Sequence, residues 1–215
     1  MLNVEQRYRY VYKPAVFIAC LVPLALDMAG AFGFTDLGPD PTAHILHSLG
    51  KTALNLLLIT LAVTPVREIS GLTHLLRLRR MLGLFAFFYA AMHLNAYLFL
   101  DQEGNFSGVL KDIAKRPYIT VGFTALVLLI PLAITSTNRM MRRLGRRWQQ
   151  LHRLAYVCAV LGVWHYYWQV KRDVREPLVY AGILAALFAF RLIRRAQRRR
   201  AATGNRAPLA LRSSE

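Results

Sequence analysis

The sequence predicts an all-α, polytopic membrane protein of six transmembrane helices with both termini cytoplasmic. Three observations lead there. The 215-residue chain is 55% hydrophobic, yet its formal net charge is +17. Its apolar residues gather into six blocks of roughly twenty, the length a helix needs to cross about 30 Å of hydrocarbon. The basic residues gather in alternate connections between those blocks, and the positive-inside rule assigns such connections to the cytoplasm.

The blocks are 14–33, 45–65, 81–100, 118–136, 149–169 and 177–193. Arg7, Arg9 and Lys13 precede the first. Arg67, Arg77, Arg79 and Arg80 follow the second, and Arg139, Arg142, Arg143, Arg146 and Arg147 follow the fourth. Arg191, Arg194, Arg195 and the run Arg198–Arg200 close the last. The opposite loops hold Asp36, Asp40, Asp101, Glu103, Asp112, Asp173 and Glu176. The positive charge is therefore read as a topology signal and a grip on anionic lipid headgroups, not as a nucleic-acid surface.

This organises the chain as a cytoplasmic N-terminus over 1–13, a membrane domain over 14–195 and a basic tail over 196–215 expected to be disordered. The first block has the basic start and small residues of a signal peptide. Removing it would break the charge symmetry, so it is expected to stay as a helix. Cys20 and Cys158 sit in apolar blocks without CxxC spacing, which argues against zinc or iron–sulfur chemistry. No internal repeat of fixed period is apparent.

In chain order, the first block contains Pro23 and Asp27, an acid near its outer end. The second opens with His44 and His47 and is expected to stop at Thr64–Pro65. The third carries His93. The outer loop "DQEGNFSGVLKDIAKRP" contains "VLKDIAK", a short interfacial helix on a face suited to a partner protein. The stretch "RMMRRLGRRW" returns on the inside before the fifth block, which carries His152 and His165.

Those two histidines cannot share one metal. Thirteen residues of ideal helix rise about 20 Å and turn about 220°, so the rings sit at different depths on different faces. Depth instead pairs His165, five residues before Val170, with His93, seven residues before Leu100. Two neutral imidazoles facing each other from two helices are what gives a heme iron both axial ligands. The flanks "GVWHYYW" and "FFYAAMHLNAY" mix aromatic with small residues, which suits a flat macrocycle. The same aromatics also describe an interfacial belt around satisfied core histidines, and spacing admits both readings. His152 has no depth-matched histidine: counting back from His93 reaches Arg80 or Arg79, which would pair with heme propionates or a flavin phosphate, or else only set topology.

The stretches "DPTAHILHSLGKTAL", "RLRRMLGLFAFFYAAMHLNAY", "RPYITVGF", "TSTNRMMRRLGRRWQQLHRLAYVCAVLGVWHYYW" and "PLVYAG" resemble the MsrQ family. These are heme-binding membrane subunits of bacterial protein-methionine-sulfoxide reductase systems, within the ferric reductase-like transmembrane superfamily. The similarity covers about residues 35–190. It implies a six-helix b-type cytochrome of the bacterial inner membrane with one or two hemes b, and implies His93, His152 and His165 as heme ligands. His47 is the further histidine placed near the outer site. FMN is implied too, though no stretch marks its place. The implied partner is a periplasmic molybdopterin-dependent methionine-sulfoxide reductase. The implied donor is a cytosolic flavin reductase or the quinone pool, since no G-x-G-x-x-G follows a strand here. A stand-alone ferric reductase or quinol-oxidising cytochrome b is the alternative, and a non-redox membrane anchor a further one. The wider superfamily carries two histidines on each heme helix, whereas the third block here has one.

Overall fold

Helix ends follow the local chemistry of the chain. In a computed structural model, residues 3–170 and 173–204 are described and form ten α-helices. These are α1 (Val4–Arg7), α2 (Lys13–Ala31), α3 (Pro41–Ser70), α4 (Leu75–Ala96) and α5 (Phe106–Lys115). There follow α6 (Pro117–Ile134), α7 (Asn138–Leu144), α8 (Arg146–Leu151), α9 (Leu154–Gln169) and α10 (Arg175–Gly204). A π-helical segment, Tyr8–Tyr12, joins α1 to α2, and another, Tyr97–Asp101, extends α4. Asp40 caps α3 by accepting from Ala43 N at 2.9 Å, with Pro41 at the first helical position. Gly71 ends the same helix with φ +73°, a conformation that costs glycine nothing.

Five helices are long and apolar enough to cross a membrane: Glu5–Ala31, Pro41–Ser70, Leu75–Asp101, Pro117–Ile134 and Arg175–Ala201. The chain is a multi-pass membrane protein. The fifth apolar block is not one uninterrupted helix. It breaks at His152 and Arg153, leaving α8 of 6 residues and α9 of 16. The return loop expected before it is itself helical, as α7, capped by Thr137 and closed by Gly145 at φ +51°.

Two helix pairs build the centre. α3 packs most extensively on α4, and α6 on α9; α3 also meets α9, and α4 meets α6. α2 lies against α3 and α4, while α10 lies against α9 and α3. The core runs through all four central helices, with Leu61, Tyr89, Ala86, Cys158 and Ala159 almost wholly buried. α5 covers one end of the bundle, and the basic loops lie at the other.

Two expectations need correction. The second block does not stop at Pro65, because α3 runs through to Ser70. Proline has no N–H to give the carbonyl four residues back, which is Leu61 O. Arg191 Nη2, from α10, donates to that carbonyl instead. The tail expected to be disordered from 196 continues α10 as far as Gly204. Residues 205–215 lie outside the described residues.

Tyr89 bonds the backbone of α2 next to its proline, at the Cys20–Leu24 step. Its hydroxyl donates to Cys20 O at 2.7 Å and accepts from Leu24 N at 3.1 Å, beside Pro23. A buried tyrosine on α4 thus bonds α2 backbone beside a proline. Asp27 is 3% exposed, beside Ser48 and His44, and its Oδ2 has no partner among the described residues.

Candidate functional site

The structure brings His93 and His165 together, one from each central helix pair. Their ring centroids are 6.2 Å apart with an interplanar angle of 75°. His93 Nδ1 lies 3.0 Å from Leu46 O, and His165 Nδ1 lies 2.7 Å from Tyr118 O. A carbonyl only accepts, so each Nδ1 carries the hydrogen. Each Nε2 is left with a free lone pair, the state a metal ligand requires.

Both rings line a cavity of about 310 Å³ between the helix pairs. Small-molecule sites run from roughly 300 to 1,000 Å³. Two glycines let the histidines approach backbone. A Cβ on Gly50 would stand 3.2 Å from His93 Nδ1, and one on Gly122 would stand 2.8 Å from His165 Nδ1.

The cavity is built twice. Adding 72 to a residue number carries Leu46 to Tyr118, Gly50 to Gly122 and His93 to His165. The same shift carries the lining residues Ala53 to Ala125, Leu57 to Leu129, Ala86 to Cys158 and Ala90 to Gly162. The hairpins α3–α4 and α6–α9 are therefore two copies of one arrangement, each offering a carbonyl, a glycine and a histidine. That corrects the absence of any repeat read from the sequence. Four of these seven pairs keep the same residue, and Ala86/Cys158 and Ala90/Gly162 keep small size.

Polar groups cluster at the α5 end. His47 lines the cavity, with Nδ1 2.8 Å from Ala43 O and Nε2 3.0 Å from Gln169 Nε2. Lys51 bridges Glu176 at 2.8 Å, and Tyr166 donates to the same carboxylate. Tyr97 donates to Asp112, which pairs with Arg116 at 3.2 Å, so α5 is tied down over the opening. Val109 and Ile113 of α5 close that side.

The other candidates lie elsewhere. His152 sits in the turn between α8 and α9, stacked on Trp148 with centroids 3.9 Å apart. Its Nε2 is 3.1 Å from the Thr135 hydroxyl. That hydroxyl donates to Pro131 O at 2.6 Å, which leaves His152 Nε2 as the donor. No second histidine faces it among the described residues. Its counterpart under the shift of 72 is Arg80, which does not line the cavity but donates to Asn138. Arg79 also lies outside the cavity. His74 stacks on Tyr12. Sequence reasoning missed the two carbonyls and two glycines; glycines within "LGKTAL" and "TVGFTAL" were the available signal.

Two opposed neutral imidazoles can ligate a metal from both sides. Two metal–nitrogen bonds of about 2 Å, with half a ring beyond each, span about 6 Å. No group of three or more metal-ligating side chains occurs among the described residues. A bare transition ion would need such a group, whereas a macrocyclic iron brings its remaining ligands with it.

Comparison with known proteins gives the chain's family. Residues 49–163 match the family described as ferric reductase like transmembrane component. Over 202 residues the chain is 52% identical to the protein-methionine-sulfoxide reductase heme-binding subunit MsrQ of Xanthomonas campestris pv. campestris, spanning 91% of this chain and 92% of that one. The chain belongs to the MsrQ family. The MsrQ of Rhodospirillum rubrum is 53% identical over 187 residues, spanning 86% of this chain and 89% of its own. The region matched to the ferric reductase-like family includes Gly50, His93 and Gly122, and ends two residues before His165.

Proposed function

We propose that this MsrQ-family chain holds one heme b between His93 and His165 and carries electrons across the bacterial inner membrane. The source is a cytosolic flavin reductase or the quinone pool. The recipient is a periplasmic molybdopterin-dependent methionine-sulfoxide reductase, whose repair of oxidised proteins this subunit supports. The names of the relatives support the partner and the cofactor.

The observation that carries the proposal is the His93–His165 pair, 6.2 Å apart with both Nδ1 atoms committed to carbonyls. The residues present fit a heme. Each Nε2 lone pair is free, and small residues Gly50, Ala53, Ala90, Gly122, Ala125 and Gly162 leave a slot between the helix pairs. When bound, the heme supplies a one-electron carrier whose potential its surroundings tune. The chain's own part is positional. Leu46 O and Tyr118 O hold the ring orientations, the glycines admit the rings, and α5 shields the opening from water. His152 stays outside this assignment.

The topology follows the charges. Six crossings, with α9 as the short fifth, put the basic loops and both termini in the cytoplasm. The cavity then lies toward the periplasmic face, next to α5 and the recipient.

The test is a reduced-minus-oxidised spectrum of the full chain purified from heme-replete cells. A b-type spectrum and a hemochrome count of one per polypeptide are expected; a colourless protein overturns the proposal. Timing heme reduction with NADH and flavin reductase, against quinol, separates the donors.

A further inference from the structure

We propose that Lys51 and Arg116 anchor the two propionates of the heme, which orients the macrocycle with its carboxylates toward α5 and its apolar edge inward. The inference rests on the heme reading of the His93–His165 pair and adds to it an orientation and two binding residues.

The cavity is chemically one-sided. Its deep end is lined by Leu57, Ala86, Leu129 and Cys158, which offer an anion no cation. Lys51 and Arg116 are the only lysine and arginine lining it among the described residues, and both stand at the α5 end. The helix sets the separation, since the six residues from Lys51 to Leu57 rise about 9 Å along α3. Arg79 and Arg80, the arginines the sequence offered for this role, do not line the cavity.

Each cation sits next to the support of one histidine. Lys51 follows Gly50, against which His93 rests. Arg116 stands two residues before Tyr118, whose carbonyl holds His165 Nδ1. The two hairpins thus each supply one axial histidine and, beside it, one positive charge.

Both cations are held in place and keep donors to give. Lys51 Nζ lies 3.0 and 2.8 Å from the two oxygens of Glu176, and an ammonium has three N–H donors. Arg116 Nε pairs with Asp112 at 3.2 Å and its Nη1 reaches the Tyr118 hydroxyl at 3.5 Å. Its Nη2 has no partner among the described residues. Tyr166 and Tyr97 donate to those same two carboxylates, so Glu176 and Asp112 act as positioning residues. Among the described residues the one carboxylate that lines the cavity itself is Asp101. It ends the segment that extends α4 and accepts from Gln102 at 2.8 Å.

A heme is amphipathic, and a carboxylate pushed into the leucine-lined end would lose its water and find no partner there. At the α5 end it meets N–H donors in charge-assisted bonds. The side chains of Lys51 and Arg116 are 36% and 51% exposed, so they keep part of their own hydration.

The experiment titrates the full chain, purified from heme-depleted cells, with hemin and with hemin dimethyl ester, whose propionates carry no charge. Absorbance reads both affinities. Lys51→Gln and Arg116→Gln are each expected to weaken hemin about three- to tenfold and to leave the ester within about twofold of wild type. Lys51→Arg should keep the hemin affinity. So should Lys115→Gln, which removes a cation of α5 that does not line the cavity. Arg116→Gln carries the test by itself should Lys51→Gln, which unties α3 from α10, fail to fold. Equal losses for hemin and ester in Arg116→Gln overturn the anchoring role, and so does an unchanged hemin affinity. If neither ligand gives wild type a b-type spectrum, the His93–His165 reading fails first and this inference falls with it.

Discussion

His93 and His165 occupy equivalent places in two helical hairpins, each 47 residues after the carbonyl that holds its Nδ1. Each also rests against a glycine four residues beyond that carbonyl, Gly50 or Gly122. A ligand held this way is fixed in tautomer and orientation before any metal arrives, which second-shell carbonyls do for metal-binding histidines generally.

The pair should be indispensable to heme binding. His93→Ala or His165→Ala should lower heme affinity by at least ~100-fold, beyond the usual cost of losing a supporting residue. His44→Ala should leave the spectrum unchanged. Hemochrome content per purified chain reads both outcomes.

The glycines should matter in proportion to their clearance. Gly122→Ala puts a Cβ 2.8 Å from His165 Nδ1, closer than real Cβ contacts allow, so the ring must move. Gly50→Ala meets His93 at 3.2 Å and needs a smaller shift. Heme titration should show Gly122→Ala weakened by roughly 10–100-fold and Gly50→Ala by less. Equal affinities for the two variants would contradict the geometry.

Tyr89→Phe should destabilise the fold and spare the heme. It removes the hydrogen bond to Cys20 O and the one from Leu24 N, beside Pro23, each worth about 0.5–1.5 kcal/mol net. Thermal unfolding in detergent should show a lowered midpoint while the absorption maxima stay in place.

Pro65 and Arg191 should be coupled. Arg191→Gln removes the side-chain donor to Leu61 O, while Pro65→Ala restores a backbone one. The double variant should therefore recover about 1 kcal/mol of what Arg191→Gln loses. Additive unfolding free energies would show that Leu61 O does not depend on Arg191.

Much of this was legible in the linear chain, because lipid imposes one-dimensional rules. Twenty apolar residues make a span, and arginines mark one side. His93 and His165 were matched by depth alone, since helices of similar length bring residues near their ends to similar levels. The short helix expected at "VLKDIAK" was visible as well, within α5. The break at His152 was not, because α8 and α9 differ from a continuous helix only in how the chain turns over Trp148 and Thr135. The repeat escaped notice for a related reason. Packing at a ligand cavity selects size and backbone access, so Ala86 and Cys158 or Ala90 and Gly162 serve alike without matching as letters.

By itself, then, the sequence determined a basic multi-pass membrane protein with histidines at matched depth, since composition and length suffice for that. Only the tertiary structure decided which groups meet. Carbonyls Leu46 O and Tyr118 O carry no side-chain signature, and the service of Arg191 to Leu61 O joins residues 130 apart in the chain. Such contacts depend on helix rotation and packing, and both are settled only when all the helices assemble.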